Sequence, residues 1–153
     1  MTTPYHYTES GLDYVYLVDG FEVIETAYGP AVQVIQAGKL DRAIAATIVG
    51  LQKRLTGQEV RFLRGLMDIT QQELGRLLGK DAQTVARWEK AKTEVPATED
   101  IALRQIYLEM TGHRRTFIDT SRKVARLTQR LSSVMFRTRR LQRGRAVIWS
   151  MAA

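Results

Sequence analysis

From residue 1 to about residue 37, aromatic or β-branched residues alternate with polar ones, the period of strands with one covered face. Asp19-Gly20 lies between Tyr14-Val15-Tyr16-Leu17-Val18 and Phe21-Glu22-Val23-Ile24. Asp-Gly between such runs predicts a tight hairpin, because both turn residues tolerate positive φ. Tyr28-Gly29-Pro30 is expected to break the second strand, and Ala31 to Ile35 to supply a third. So small an antiparallel sheet cannot close into a barrel and must lean on something apolar. Leu40, Ile44, Ile48, Leu51 and Leu55 recur at helical spacing and offer that support. Tyr14, Tyr16, Val18 and Phe21 are the candidates for packing inside the sheet.

From Thr56 the pattern turns helical. Thr56 with Glu59, and Thr70 with Glu73, each fit a capping box, in which the hydroxyl accepts from the N3 amide and the carboxylate returns to the cap amide. The first helix carries Val60, Leu63, Leu66 and Met67 as its apolar stripe; the second carries Leu74, Leu77 and Leu78 and is ended by Gly79. Asp81 caps a third, Ala82 to Lys90, with Val85 and Trp88 facing inward. Beyond Val95-Pro96, a fourth helix with Ile101, Ile106, Leu108 and Met110 is expected to end near Gly112. Glu99-Asp100 at its start would complement the helix dipole. In the remainder, Val124, Leu127, Leu131, Val134, Thr138 and Leu141 follow the spacing of a coiled-coil seam and predict a basic C-terminal helix.

Charge sharpens this division. The 153 residues carry 23 basic and 16 acidic side chains, a net +7. From His113 onward, ten Arg and Lys123 stand against Asp119 alone, 11 − 1 = +10, so the preceding residues carry 7 − 10 = −3. A basic tail favours nucleic acid or an acidic membrane surface. A membrane-surface helix could draw on Phe117, Phe136 and Trp149, whereas guanidinium forks more commonly meet phosphate. The segment Gly57 to Gly112 holds eight basic and nine acidic residues, so phosphate attraction there is weak unless two copies or the tail add to it. Cysteine is absent, which excludes disulfides, thiolate metal sites and cysteine nucleophiles. The longest mainly apolar stretch, Ala43 to Leu51, is about half a bilayer span, and a cytoplasmic protein with no membrane partner is expected. Only His6 and His113 are available as imidazoles, and no phosphate loop or nucleophile elbow is present. No enzyme, catalytic residue or cofactor is expected; a metal-independent ribonuclease built on Arg, Tyr and His is the remote alternative.

Short helix, tight turn, short helix is the geometry that places one helix in the major groove, roughly 12 Å wide. Thr70-Gln71-Gln72-Glu73-Leu74, Gly79 in the turn and Trp88-Glu89 after the third helix resemble the Cro/C1-type (XRE) helix-turn-helix family over about Thr56 to Gly112. Gly75 permits close helix approach, and the family's usual Gly after Trp-Glu-x is Ala91 here. The resemblance implies a lambda-repressor-like bundle in which Ala82, Gln83, Ala86 and Arg87 read bases, while Gln71 binds a phosphate and buttresses the reading helix. Gln83 can be bidentate to adenine, Arg87 to guanine, and the Ala82 or Ala86 methyl can meet a thymine methyl. Lys80, Thr84, Lys90 and Lys92 are placed for phosphates, which fix register without reading sequence.

Tyr5-His6-Tyr7-Thr8-Glu9-Ser10-Gly11-Leu12-Asp13-Tyr14-Val15, joined through a helix to this module, resembles the MqsA (YgiT-type) antitoxins. In that family a Cys-x-x-Cys pair ends the second strand and helps hold zinc; here the stretch is Glu25-Thr26-Ala27-Tyr28-Gly29, the zinc-ligand cysteines are absent, and no metal is expected. The resemblance implies an N-terminal part that grips a toxin and a C-terminal part that binds the operator. The expected protein is therefore mainly α with a small N-terminal antiparallel sheet. Its divisions are 1–55 (sheet and linking helix, for a toxin or effector), 56–112 (DNA binding) and 113–153 (basic extension). The expected function is a sequence-specific regulator, a repressor and antitoxin-like autoregulator, homodimeric on double-stranded operator DNA with half-sites one helical turn apart. The alternative is a DNA- or RNA-binding accessory protein whose tail carries the main activity.

Overall fold

Val15 and Leu17 are fully buried while Tyr16 between them is half-buried, the period of a strand resting on a core. In the computed structural model, which describes residues 3–51, 53–112, 134–140 and 147–152, this strand is central to a four-stranded sheet. The order is β1 (Tyr5–His6), β2 (Val15–Leu17), β5 (Val134–Arg140), β6 (Val147–Met151). β1 and β2 are antiparallel, β2 and β5 parallel with Val15 opposite Val134 and Leu17 opposite Phe136, and β5 and β6 antiparallel. Tyr7, Leu12, Val15, Leu17, Phe136 and Trp149 are buried, and the Trp149 indole donates to the Ile35 carbonyl at 2.9 Å.

β3 (Phe21–Thr26) and β4 (Gly29–Val34) form a separate two-stranded ladder. The expected hairpin at Asp19-Gly20 is thus corrected: β2 and β3 lie in different sheets. A type I′ turn needs positive φ at both residues, and only Gly20 has it (75°). The expected break after the second strand is present, at Ala27-Tyr28, and the third strand begins already at Gly29, so that Pro30 lies inside it. The Ile35 amide donates to the Gly20 carbonyl, so positions 20 and 35 are a hydrogen-bonded pair and, by alternation, Glu25 and Pro30 a non-bonded one. Proline's missing N–H costs the ladder nothing there. The hairpin turns instead at Ala27-Tyr28, with Thr26 Oγ1 donating to the Gly29 carbonyl and Gly29 taking φ 106°.

Two further expectations change in this part of the chain. The inward residues of β2 are Val15 and Leu17, one position out of step with Tyr14, Tyr16 and Val18, which are half-buried like Phe21. Tyr16 stacks on His6, and Phe21 meets Tyr5 at 5.3 Å between ring centroids. The C-terminal helix is not formed over 134–140 or 147–151, which are strands, so Val134 and Thr138 are not seam positions. Phe136 and Trp149 are buried rather than offered to a membrane, on strands that pair β5 with β2 and β6 with β5. Val124, Leu127, Leu131, Leu141 and Phe117 lie outside the described residues.

Helix α1 (Ala37–Gly50) has Leu40, Ile44, Ile48 and Val49 buried; Leu51 and Leu55 are buried too, but beyond its end. Contacts divide the chain within this helix: described residues up to Ile44 group with β5 and β6, and those from Ala45 to Gly112 form a helical unit. The division therefore falls before residue 55, and the C-terminal strands group with the N-terminal ones.

The helical unit contains α2 (Gly57–Leu66), α3 (Gln71–Leu78), α4 (Ala82–Glu89) and α5 (Ala97–Met110). Both capping boxes are complete, and Asp81 accepts from the Thr84 amide at 2.7 Å. Three successive helices end with a left-handed residue: Asp68 after α2 (φ 54°), Gly79 after α3 (67°), Ala91 after α4 (54°). After α4, the Lys92 amide reaches the Arg87 carbonyl and Ala91 reaches Trp88, the Schellman pattern. The core includes Val60, Leu63, Met67, Leu74, Val85, Trp88, Leu103, Tyr107 and Leu108. Leu77 is 57% exposed and Leu78 half-buried, so α3 faces inward through Leu74 and Gly75 alone.

The inward face of α5 also differs from expectation. It is Asp100, Leu103, Arg104, Tyr107 and Leu108; Met110 is 51% exposed, and Ile101 and Ile106 are half-buried. Two charges displace the apolar stripe. Arg104 Nε pairs with Asp100 Oδ1 at 2.7 Å, and Nη1 donates to the carbonyls of Leu51 (2.8 Å), Val49 (3.1 Å) and Ile48 (3.3 Å). Its Nη2 donates to the Lys53 carbonyl, and Asp100 Oδ2 accepts from the Leu55 amide at 2.6 Å. This caps the Ile48 and Val49 carbonyls in the last turn of α1, which have no intrahelical donor, and the Leu51 and Lys53 carbonyls just beyond it. Asp100, in the first turn of α5 with Glu99 as expected, is thus also an interior hub, while Glu99 pairs with Lys80.

Candidate nucleic-acid interface

Helix α4 owes its presentation to residues on its hidden side. Val85 is fully buried and Trp88 nearly so, three apart on one face. Gln83 and Arg87, four apart, are exposed; Ala82, Thr84 and Ala86 are half-buried beside them. The four residues expected to read bases thus share the outward side of one helix. Its N-terminus is fixed by Asp81, whose carboxylate is held below its usual pKa by its hydrogen bonds from Thr84, with a further contribution from Arg87.

Close backbone approach sets the position of α4 against its neighbours. A Cβ on Gly57 would lie 2.1 Å from the Trp88 carbonyl oxygen, so α2 starts against the end of α4 as only glycine allows. A Cβ on Gly75 would lie 2.6 Å from the Lys80 carbonyl oxygen, which is the close approach expected of that residue.

Glu89 supplies the polar lock that sequence reasoning missed. Its carboxylate accepts from Arg64 Nε (2.6 Å) and Nη2 (3.1 Å) on α2 and from Gln71 Nε2 (2.8 Å) on α3. One side chain joins three helices. The hydrogen bonds to Glu89 raise the Arg64 pKa against the opposing effect of burial, and Arg64 Nη1 also reaches the Ile69 carbonyl at 2.9 Å. Gln71 therefore buttresses the reading helix directly. The visible signal was the Trp88-Glu89 pair itself, with Gln71 one helix earlier and Arg64 two helices earlier.

Of the cations expected at phosphates, Lys90 and Lys92 are exposed at the end of α4, and Lys92 lines a recess of about 480 Å³ with Arg54 and Thr56. Lys80 is partly exposed and pairs with Glu99 at 3.1 Å. Thr84 is half-buried, with its amide on Asp81. His6 and Glu25 sit in different sheets, His6 Nε2 being 3.0 Å from the Asp13 carbonyl.

Residues 60–99 match the helix-turn-helix family model. They carry a helix-turn-helix of the Cro/C1 (XRE) type. The match spans most of α2, all of α3 and α4, and the start of α5, 40 of the 153 residues. This helix-turn-helix is the module of DNA-binding regulators, with α3 and α4 as its two helices and α4 in the reading position. No curated protein and no solved structure matches the chain. Among the described residues, no helix is long and apolar enough to cross a membrane.

Proposed function

We propose that the chain is a sequence-specific transcriptional regulator, a repressor that binds double-stranded operator DNA as a homodimer. The observation that carries this reading is the outward face of α4. Gln83 and Arg87 are exposed on a helix whose other side is held by Val85, Trp88 and Glu89. Exposed Lys90 and Lys92 follow at its end, where phosphate contacts would set register. The near balance of charge in the helical unit supports two copies, since one unit neutralises few phosphates. Autoregulation of an antitoxin type, with a toxin held by the N-terminal unit, is the biological setting we infer from the Tyr5–Val15 segment. The reading assigns the chain no catalytic role, no cofactor and a cytoplasmic location.

The test is base discrimination in a competition assay. Arg87→Ala should lose preference at one base pair, by about 1–3 kcal/mol. Gln71→Ala should weaken all sequences more evenly, because it loosens the support of α4 rather than a base contact. Wild-type discrimination in the Arg87 variant would refute the assignment.

A further inference from the structure

The β3–β4 hairpin is the least self-sufficient part of the described chain. It is a two-stranded ladder, and a ladder of that size is marginal in water on its own. Every residue of β3 after Phe21 is exposed, with Val23 at 67%. The register places Phe21 opposite Val34 and Val23 opposite Val32, on one face, with Glu25 and Pro30 beyond them.

These are the non-bonded pairs, since positions 20 and 35 are hydrogen-bonded. The N–H groups of Val32 and Val34 and the carbonyls of Pro30 and Val32 therefore point away from β3. Among the described residues no strand pairs with this outer edge of β4.

We propose that this edge is the seam of a two-fold dimer, β4 pairing antiparallel with β4 of a second copy about Val32. The pairing closes by symmetry: Val32 exchanges both backbone bonds with its equivalent, and each Val34 amide donates to the opposite Pro30 carbonyl. Pro30 has no N–H to return, so each Val34 carbonyl lacks that bond and the seam closes on four backbone hydrogen bonds. The apolar row becomes Val23, Val32, then Val32 and Val23 of the second copy, across four continuous strands.

Charge selects β4 over β3. No residue from Gly29 to Ile35 is charged, so nothing repels a second copy. Pairing through β3 would instead gather Glu22 and Glu25 of both copies at one seam, and charged edges are how sheets avoid such contacts. Antiparallel pairing of a strand with itself is necessarily isologous, the symmetry a two-fold operator requires. The inference deepens the dimeric reading above and rests on it for its purpose.

The test is sedimentation of the full chain as wild type, Val32→Lys, Val32→Glu and an equal mixture of the two variants. Wild type should be dimeric. Each variant alone should dimerise at least about tenfold more weakly, because like charges meet directly across the seam. The mixture should dimerise again as the charges become opposite, which a misfolded variant could not do. A monomeric wild type, undiminished dimers in either variant, or a mixture that stays monomeric would each overturn the proposal. The lysine variant should also keep affinity for a single half-site while losing the gain from a second. Unchanged discrimination in Arg87→Ala, with the Val32 series behaving as described, would instead reject the DNA reading and leave the seam standing.

Discussion

Replacing Arg104 with methionine keeps a long unbranched stem and removes five donated hydrogen bonds, one to Asp100 Oδ1 and four to the carbonyls of Ile48, Val49, Leu51 and Lys53. Asp100 keeps only the Leu55 amide among these partners, and both side chains of the pair are fully buried. Removing one partner of a buried pair costs about 3–5 kcal/mol, mostly because the other charge is left uncompensated. A partly exposed pair such as Lys80–Glu99 contributes about 0.2–1 kcal/mol by comparison. At about 4–8 °C per kcal/mol for a domain of this size, the melting transition of the helical unit should fall by at least about 12 °C. Calorimetry of the full chain, with Lys80→Ala as the surface control, measures it. Adding Asp100→Leu to Arg104→Met should recover part of the loss, since the stranded carboxylate goes with it. A loss in Arg104→Met no larger than in Lys80→Ala would refute this account of the pair.

Ala91 occupies a left-handed position, φ 54°, at the Schellman end of α4, and Ala91→Gly should stabilise the helical unit by about 1 kcal/mol in denaturant unfolding. The Asp41 pKa is raised by burial, with the Tyr7 hydroxyl at 3.3 Å acting the other way; a raised acid is a penalty present in full above the folded pKa and lifted as pH falls from that value to 3.8. Asp41→Asn should therefore be more stable than wild type at neutral pH, with the difference shrinking as a denaturant series is taken down toward pH 3. Glu73 and Asp81 run the opposite way: their pKa values are lowered by hydrogen bonds from Thr70 and Thr84, so what they contribute is present above 4.5 and 3.8 and lost as pH falls through the folded values. Glu73→Gln and Asp81→Asn should flatten the acid limb of the same unfolding series.

Local chemistry was the legible part of this chain. A capping box spans three residues and its partners are fixed by that spacing, so Thr56, Glu59, Thr70 and Glu73 announced two helix starts correctly. Gly79 announced an end for the same reason. Asp68 and Ala91 take the same left-handed conformation without being glycine; Ala91 stands where the family resemblance expects Gly, whereas no turn residue marks Asp68. On α5, polar Asp100 and Arg104 hold the inward face, and a search for apolar spacing passes over them. Strand partners were hidden by distance in sequence: Leu17 meets Phe136 across more than a hundred residues, and no turn between neighbours encodes a parallel pairing. The outward face of α4 was readable because Val85 and Trp88 fix its opposite side; Glu89 was not, since its partners Arg64 and Gln71 are 25 and 18 residues away.

The carboxylate of Glu89 has a kinetic and entropic consequence as well as a structural one. Asp81 secures one end of α4 and Glu89 the other, so the helix has little orientational freedom left to surrender on meeting a ligand. Binding by such a rigidly presented surface avoids much of the ordering cost that a mobile segment would incur. Differences in affinity between correct and incorrect sites then appear chiefly as differences in residence time.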